Sequence, residues 1–405
     1  MRLHDLTETA FDPDAVTRVG VAVSGGSDSM ATLHLLAGRY QVAAVTVDHG
    51  LRPEAAEEAR FVAAACARIG VAHSTLRWDG PVPSGNLMDQ ARRARLRLVG
   101  AWARENGIAH VALGHTADDQ AETFLMRLAR EAGLEGLSGM RRRFEAEGVI
   151  WHRPFLAATR AELRAFLTAR GIAWVDDPSN ANERFDRVKA RNALQGLAPV
   201  GVTAQKLSAV VGHLAAAEAA LGAVLHGFAM VHVNEDRGDL VIGAGAFAAA
   251  LPPELQRRLI VAALRWVSGA EYAPRATKVD NFLAELPEHR GRTLHGCRMT
   301  SSDAEIRITR EANTVAELRV SAGQLWDRWH LSGPATAGQE IASLGAEGLR
   351  QCPDWRKTGL PRASLLASPA VWQGETLVSA PLAGLENGWK ATIAAGSFLS
   401  SLLRR

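Results

Sequence analysis

Three stretches of this chain carry residue types and spacings that suit chemistry. The first is Ser24-Gly25-Gly26-Ser27-Asp28-Ser29, which follows the apolar run Val19–Val23 and precedes Met30–Leu36. A glycine-rich turn between strand and helix leaves free backbone N–H groups at a helix N-terminus, where anions bind. Two glycines let the backbone approach a phosphate closely, and the serines add hydroxyl donors. Asp28 is out of place in a phosphate cradle unless a metal ion screens it or it takes part in the reaction. The competing reading is a plain turn, since Gly, Ser and Asp are common turn formers. The stretch matches neither G-x-x-x-x-G-K-[ST] nor G-x-G-x-x-G.

The second stretch is Gly114-His115-Thr116-Ala117-Asp118-Asp119-Gln120-Ala121-Glu122-Thr123. His115, Asp119 and Glu122 are spaced four and three apart, so they share one face at the start of a helix. Carboxylates there can simply complement the helix dipole. Beside a nucleotide they also suit a Mg²⁺ site and a proton acceptor. The third is a set of arginines. Arg92 and Arg95 share a helix face within Ala91–Arg95, and Arg184, Arg187 and Arg191 form a stripe. Each suits phosphate, although a solvated basic face reads the same way. Asp48, in Val47-Asp48-His49-Gly50-Leu51-Arg52, stands where a base or ribose would pass.

These residues need a scaffold, and residues 17–115 alternate strand and helix. Strands are expected at Val19–Val23, Gln41–Val47, Ala72–Trp78 and Ala109–Leu113, with helices at Pro53–Ile69 and Asn86–Asn106. Repeated β-α units imply a doubly wound, mostly parallel sheet with helices on both faces. Ser24, Asp48 and His115 all follow expected strands, so they fall on the carboxyl edge of one sheet, where such folds bind ligands. Helices are then expected over 203–229, Pro253–Val267 and Ala276–Leu286, with a hairpin over Leu294–Arg310. The expected division is a catalytic domain over 1–200, a mixed, mainly helical one over 201–318 and a small α/β or β-rich one over 319–405. Gly243-Ala244-Gly245-Ala246-Phe247-Ala248 matches G-x-G-x-x-A, but no βαβ unit follows it.

Length and composition agree with a multidomain globular protein: 405 residues, 47% hydrophobic, 22% charged, net charge +3. Cys66, Cys297 and Cys352 are far apart and form no C-x-x-C, so neither a zinc site nor a persulfide relay is expected. The N-terminus lacks a signal-peptide apolar region and no uninterrupted apolar run reaches membrane-spanning length, so a cytoplasmic protein without a membrane partner is expected.

These motifs, in this order, resemble the PP-loop ATP pyrophosphatases and, within them, the bacterial tRNA(Ile)-lysidine synthetases. The match runs from Arg18 to about Leu194 and includes Arg153-Pro154-Phe155-Leu156, Asp176–Asn180 and Arg187–Asn192. The chain departs at Arg130-Glu131-Ala132-Gly133, where R-G-S-G is usual. The resemblance implies ATP and Mg²⁺ as cofactors, with L-lysine and a CAU-anticodon tRNA(Ile) as partners. ATP would adenylate the wobble cytidine at C2, and lysine would then displace AMP. Ser24 to Ser29 and Asp48 would hold the nucleotide, and Asp28 and Asp119 the metal. Asp28, His115, Asp119 and Glu122 would be catalytic, and the residue that deprotonates lysine stays open among the last three. Arg92, Arg95, Arg187 and Arg191 would bind substrate. A homodimer is also implied. The rival readings are a pyrimidine-thiolating PP-loop enzyme, a small-molecule PP-loop ligase, and a nucleotide-binding regulator without catalysis.

Overall fold

The computed structural model of the chain describes residues 2–12, 16–50, 55–78, 87–176, 186–270, 272–285, 291–394 and 396–403. Leu51, Arg52, Pro53, Asp177–Asn180, Arg184 and Leu286, which figure in the sequence reading, lie outside these residues. The chain divides into two compact units, Met1–Ala219 and Ala220–Arg405.

In the first unit the elements run α1 (Arg2–Glu8), β1 (Arg18–Ala22), α2 (Ser27–Ala37), β2 (Gln41–Asp48), α3 (Ala55–Arg68), β3 (Ala72–Arg77) and α4 (Leu87–Glu105). They continue with β4 (His110–Leu113), α5 (Ala117–Leu128), α6 (Leu134–Leu137), β5 (Arg143–Ala146), β6 (Val149–His152), α7 (Arg160–Thr168) and α8 (Asp186–Leu197). One sheet in the order β3-β2-β1-β4-β6-β5 carries them, parallel except for β5. The expected doubly wound sheet is therefore present, with an antiparallel β5–β6 hairpin added at one edge.

Strand alternation assigns each face its own core. Val19, Val21, Ala44 and Ala112 pack with Met30, Leu33 and Leu36 of α2 and Leu163 and Leu167 of α7. On the other face Ala43, Val45, Val111 and Leu113 pack with Val99, Trp102 and Ala103 of α4 and with Trp151. Cys66 is fully buried in the first of these cores. Strand order reverses at β1: β2 lies on one side and β4 on the other. The crevice between the carboxyl ends of β1 and β4 is thus the switch point where such sheets bind ligands.

α9 (Ala204–His232) contains the division between the units, which follows Ala219. By length and composition it is the helix, among the described residues, long and apolar enough to cross a membrane. The second unit continues with β7 (Val233–Asp236), β8 (Asp239–Gly243), α10 (Ala244–Ala250), α11 (Pro253–Ser268), α12 (Ala276–Ala284), β9 (Arg292–Leu294), β10 (Cys297–Ser301) and β11 (Glu305–Arg310). β7-β8-β11-β10-β9 form a sheet against α11. Gly243 only precedes the short α10, and among the described residues no dinucleotide-type βαβ follows. The remainder is strand-rich, with a four-stranded and a two-stranded sheet. Phe398 and Leu402 return to the α11 core, and buried Asp239 accepts from Ser364 at 2.6 Å and from Arg307 at 3.0 Å.

The departure at residues 130–133 lies just past the end of α5. Glu131 has φ +55°, the left-handed conformation that helix C-termini usually give to glycine. Holding a non-glycine residue there costs about 1–2 kcal/mol. Glycine returns about 0.5–1 kcal/mol of that as unfolded-state entropy. Glu131→Gly is expected to raise unfolding stability by roughly 0.5–1 kcal/mol, read from the urea midpoint. An unchanged or lower midpoint refutes the strain.

Candidate active site

The loop after β1 is tied down before any ligand arrives. Gly25 has φ +88°, and its carbonyl accepts from Val175 N at 3.0 Å. Ser29 Oγ accepts from Ser24 N at 3.1 Å and donates to Gly26 O at 3.0 Å. The Ser29 hydroxyl therefore shapes the loop rather than standing free as a donor. Gly26 is the N-cap of α2 and supplies no side-chain cap. The first helical bond runs from Met30 N to Gly26 O, so the N–H groups of Ser27, Asp28 and Ser29 head the helix. A turn of this kind receives phosphate.

The second cluster arrives from β4. Gly114 passes so close to α2 that a Cβ would lie 2.8 Å from Asp28 O and 2.9 Å from Ser29 Cα. Thr116 then caps α5: Asp119 Oδ2 accepts from Thr116 N at 2.8 Å and from Thr116 Oγ1 at 2.9 Å. This box fixes the first turn and turns Asp119 Oδ1 toward the site.

Arg160, the first residue of α7, joins the two clusters. Its Nε donates to Asp28 Oδ2 at 2.9 Å, and its terminal nitrogens lie 3.6 Å from Asp119 Oδ1 and 3.6 Å from Glu122 Oε1. Arg191 of α8 binds the same Glu122 oxygen at 2.9 Å. Glu122 Oε2 is buried without a hydrogen-bond partner. One turn along α7, Arg164 donates to Ser27 Oγ at 3.2 Å and to Asp176 at 2.7 Å. Burial pushes the Asp28 carboxyl above the usual range, against the Arg160 guanidinium, which pulls it down. Asp119 goes the other way despite its burial, because Arg160, Arg187 and the Thr116 N–H favour its anion. Arg160 itself is held more firmly charged by Asp28 and Asp119, which outweigh its burial.

His115 accepts from Arg153 Nε at 3.0 Å through Nδ1. Burial, with Arg153, Arg95 and Arg187 outweighing Asp119, pushes its pKa down to about 3. Arg95 lies in a field of like charge from Arg92 and Arg187, and its Nε is buried without a partner. Arg153 feels Arg92 and Arg95 as well as burial, and falls to about 10. Arg92 and Arg187 are exposed. Asp48 ends β2 beside β1 and spends one oxygen on Gly50 N at 2.8 Å.

The sequence-expected residues therefore gather around the β1–β4 crevice, with Asp48 one strand away. Two arginines were missed as site residues: Arg160 and Arg164. Thr159-Arg160-Ala161-Glu162 did hold a signal. A capping box begins α7 at Thr159, and a cation at the first helical position opposes the helix dipole, so it needs a carboxylate partner. Arg153 was recognised only as part of a motif. As oxygen donors, Asp28 and the open Oδ1 of Asp119 suit Mg²⁺, but in this structure both face Arg160 rather than a common point.

A glycine-rich loop on the switch point of a doubly wound sheet, faced by carboxylates from the next strand, defines a PP-loop nucleotide site. Accordingly, residues 2–197 match the PP-loop domain family. The chain is 48% identical over 97% of its length to the tRNA(Ile)-lysidine synthase of Ruegeria pomeroyi, covering 96% of that protein. It is 42% identical over 66% of its length to that of Bradyrhizobium diazoefficiens, covering 78% of it. The Rhodopseudomonas palustris counterpart is 41% identical over 68% of the chain, which covers 82% of it. The chain belongs to the tRNA(Ile)-lysidine synthase family, and a PP-loop enzyme of this kind uses ATP.

The raised Asp28 gives a signed stability effect. Unfolded Asp28 ionises near 3.8 and the folded group ionises later. Between those two values the unfolded state sheds its proton first, so wild-type stability falls as pH rises. Asp28→Asn removes this penalty. The variant is expected to be more stable than wild type at neutral pH, with the advantage vanishing as pH falls below about 4. Paired urea titrations at both ends of that window check it, and a variant less stable at neutral pH refutes it.

Proposed function

We propose that this protein is an ATP-dependent carbon–nitrogen ligase that converts the wobble cytidine of CAU-anticodon tRNA(Ile) into lysidine. The observation that carries the reading is the juxtaposition of the α2 N-terminus with three carboxylates, Asp28, Asp119 and Glu122, held together by Arg160. A cytosine 2-oxo group is a poor leaving group. Its attack on the α-phosphorus of ATP releases pyrophosphate and leaves the oxygen on AMP. The ε-amine of lysine then attacks C2, AMP departs with that oxygen, and the amine proton passes to the protein.

Each pole of the site suits one reactant. The N–H groups of Ser27, Asp28 and Ser29 receive phosphate, with Ser24, Gly25 and Gly26 shaping the approach and Asp48 beside the nucleoside. Asp28 and Asp119 are suited to hold Mg²⁺, which when bound would neutralise charge building on pyrophosphate. Asp119 and Glu122 attract the lysine amine and offer acceptors for its proton. Arg92, Arg95, Arg187 and Arg191 suit AMP or the tRNA backbone. We assign residues 1–200 to catalysis, and 201–318 and 319–405 to gripping tRNA, in a cytoplasmic enzyme with no membrane partner.

Pyrimidine thiolation is disfavoured by the cysteines. All three are buried, and burial pushes the Cys66 thiol up to about 11 and Cys297 to about 12, so neither supplies a ready thiolate.

The decisive assay supplies ATP, Mg²⁺, labelled lysine and CAU-anticodon tRNA(Ile). Label is expected in the tRNA with equal AMP release, and its absence with folded protein and competent transcript overturns the reading. Asp28→Ala is expected to lower AMP formation by about 100-fold or more without loss of fold. Arg187→Ala is expected to raise KM for ATP or tRNA, and unchanged kinetics would remove Arg187 from the site.

A further inference from the structure

The bond between Arg153 and His115 fixes a chemical state that the arrangement of acids and bases alone leaves open. Arg153 Nε donates to His115 Nδ1 at 3.0 Å. A guanidinium only donates and stays protonated, so the nitrogen that receives it offers a lone pair and carries no proton. The imidazole is then neutral with its proton on Nε2. Turning the ring over would set a carbon against Arg153 and lose the bond.

Arg153 cannot easily give way, because it is 6% exposed and held on every side. Its NH1 donates to Arg141 O at 2.6 Å, and its guanidinium lies over the Phe144 ring at 4.4 Å. Its backbone N–H donates to Arg142 O at 2.8 Å. The other charged groups acting on His115 are Asp119 of α5, Arg95 of α4 and Arg187 of α8.

We propose that Arg153 is a positioning residue that locks His115 as the Nε2–H tautomer, so that His115 serves the reaction as a hydrogen-bond donor and not as the base for the attacking amine. The role in catalysis rests on the lysidine-forming reading above; the tautomer does not. The Nε2–H is suited to an oxygen on which negative charge grows, as on the AMP that departs. Proton acceptance falls to the carboxylates. Asp119 Oδ2 is spent on Thr116, while Glu122 Oε2 is buried and unpartnered.

The test uses the full chain labelled with ¹⁵N-histidine, with His115 signals identified by their loss in His115→Gln. Two-bond ¹H–¹⁵N correlations are expected to show a protonated Nε2 and a pyridine-type Nδ1 throughout the neutral range. Arg153→Gln should shift them toward mixed tautomers, and Arg153→Lys, which keeps an N–H donor, should restore them. A proton on Nδ1 or an imidazolium in the wild type overturns the inference, whatever reaction the protein catalyses. The second arm is kinetic. Gln can place an amide N–H near Nε2, so His115→Gln should keep kcat within about tenfold of wild type. His115→Ala should lose about 100-fold. Were the imidazole the base, both variants would lose about 10²–10⁴-fold alike, and that result also overturns the inference. A wild type that labels no tRNA fails the proposed function instead and leaves the tautomer measurement standing.

Discussion

The site exists because one guanidinium holds three carboxylates in one place. Asp28 comes from the first turn of α2, after β1, while Asp119 and Glu122 come from the helix after β4, and Arg160 reaches all of them. Two like charges about 4 Å apart repel by roughly 4 kcal/mol at an effective dielectric of 20. Three such groups in a half-buried crevice would otherwise splay apart or take up protons. Arg160 changes the balance, and Arg191 adds a second positive charge on Glu122. Three carboxylates against two guanidinia leave one negative charge in excess, which suits one further cation. Arg160 is itself poorly placed by its own helix, since the dipole at an N-terminus opposes a cation by about 0.3–1 kcal/mol. Its bond to Asp28 and its proximity to Asp119 and Glu122 offset that cost. Carboxylates and arginine thus depend on each other for their charge and position.

Backbone topology makes the meeting possible. β1 and β4 are neighbours only because the chain reverses direction across the sheet after β3, which brings two loops remote in sequence to one crevice. They approach to a separation that no side chain at residue 114 would permit, so Gly114 is a spacing element as much as a turn residue. α7 completes the arrangement. It packs Leu163 and Leu167 into the α2 core, and Arg160, three and seven residues before them on the same face, thereby meets Asp28 at the start of α2. Arg160 N also donates to Asp118 Oδ2 at 2.7 Å, joining the starts of α5 and α7. The apolar stripe of α7 and its polar first turn are two halves of one positioning device.

The doubly wound, mostly parallel sheet was readable because alternating β-α units have few permitted arrangements. Ser24 to Ser29 and His115 were readable because they follow strands, and Asp119 and Glu122 because their spacing from His115 puts them on one face of the helix start. Arg160 was not, for a physical reason. It belongs to a helix whose site-facing function is confined to one turn, and its carboxylate partners lie far away in sequence. Nor could spacing show that Ser29 is spent inside its own loop, or that Asp119 Oδ2 is spent on a capping box. Hydrogen-bond satisfaction is a property of the folded backbone. The β5–β6 hairpin escaped notice because Arg143–Ala146 is short, charged and half exposed, as edge strands tend to be.

The charge around His115 is divided rather than mixed. Arg92, Arg95, Arg153 and Arg187 crowd one side closely enough to hold down the pKa values of Arg95 and Arg153, and Arg95 Nε is left buried and unpartnered. Asp28, Asp119 and Glu122 gather instead around Arg160. Clustering like-charged arginines destabilises a folded protein unless something compensates, and no nearby carboxylate in the described residues caps Arg95 Nε. An arrangement that costs stability in both poles is expected where binding, rather than folding, supplies the missing partner. A polyanion would relieve the arginines, and a cation would relieve the carboxylates. Such a division suits a reaction joining a phosphate-bearing electrophile to an amine. It also explains why a histidine between the poles is kept neutral: a charged imidazole would add to the arginine excess and weaken the carboxylate pole that the amine needs.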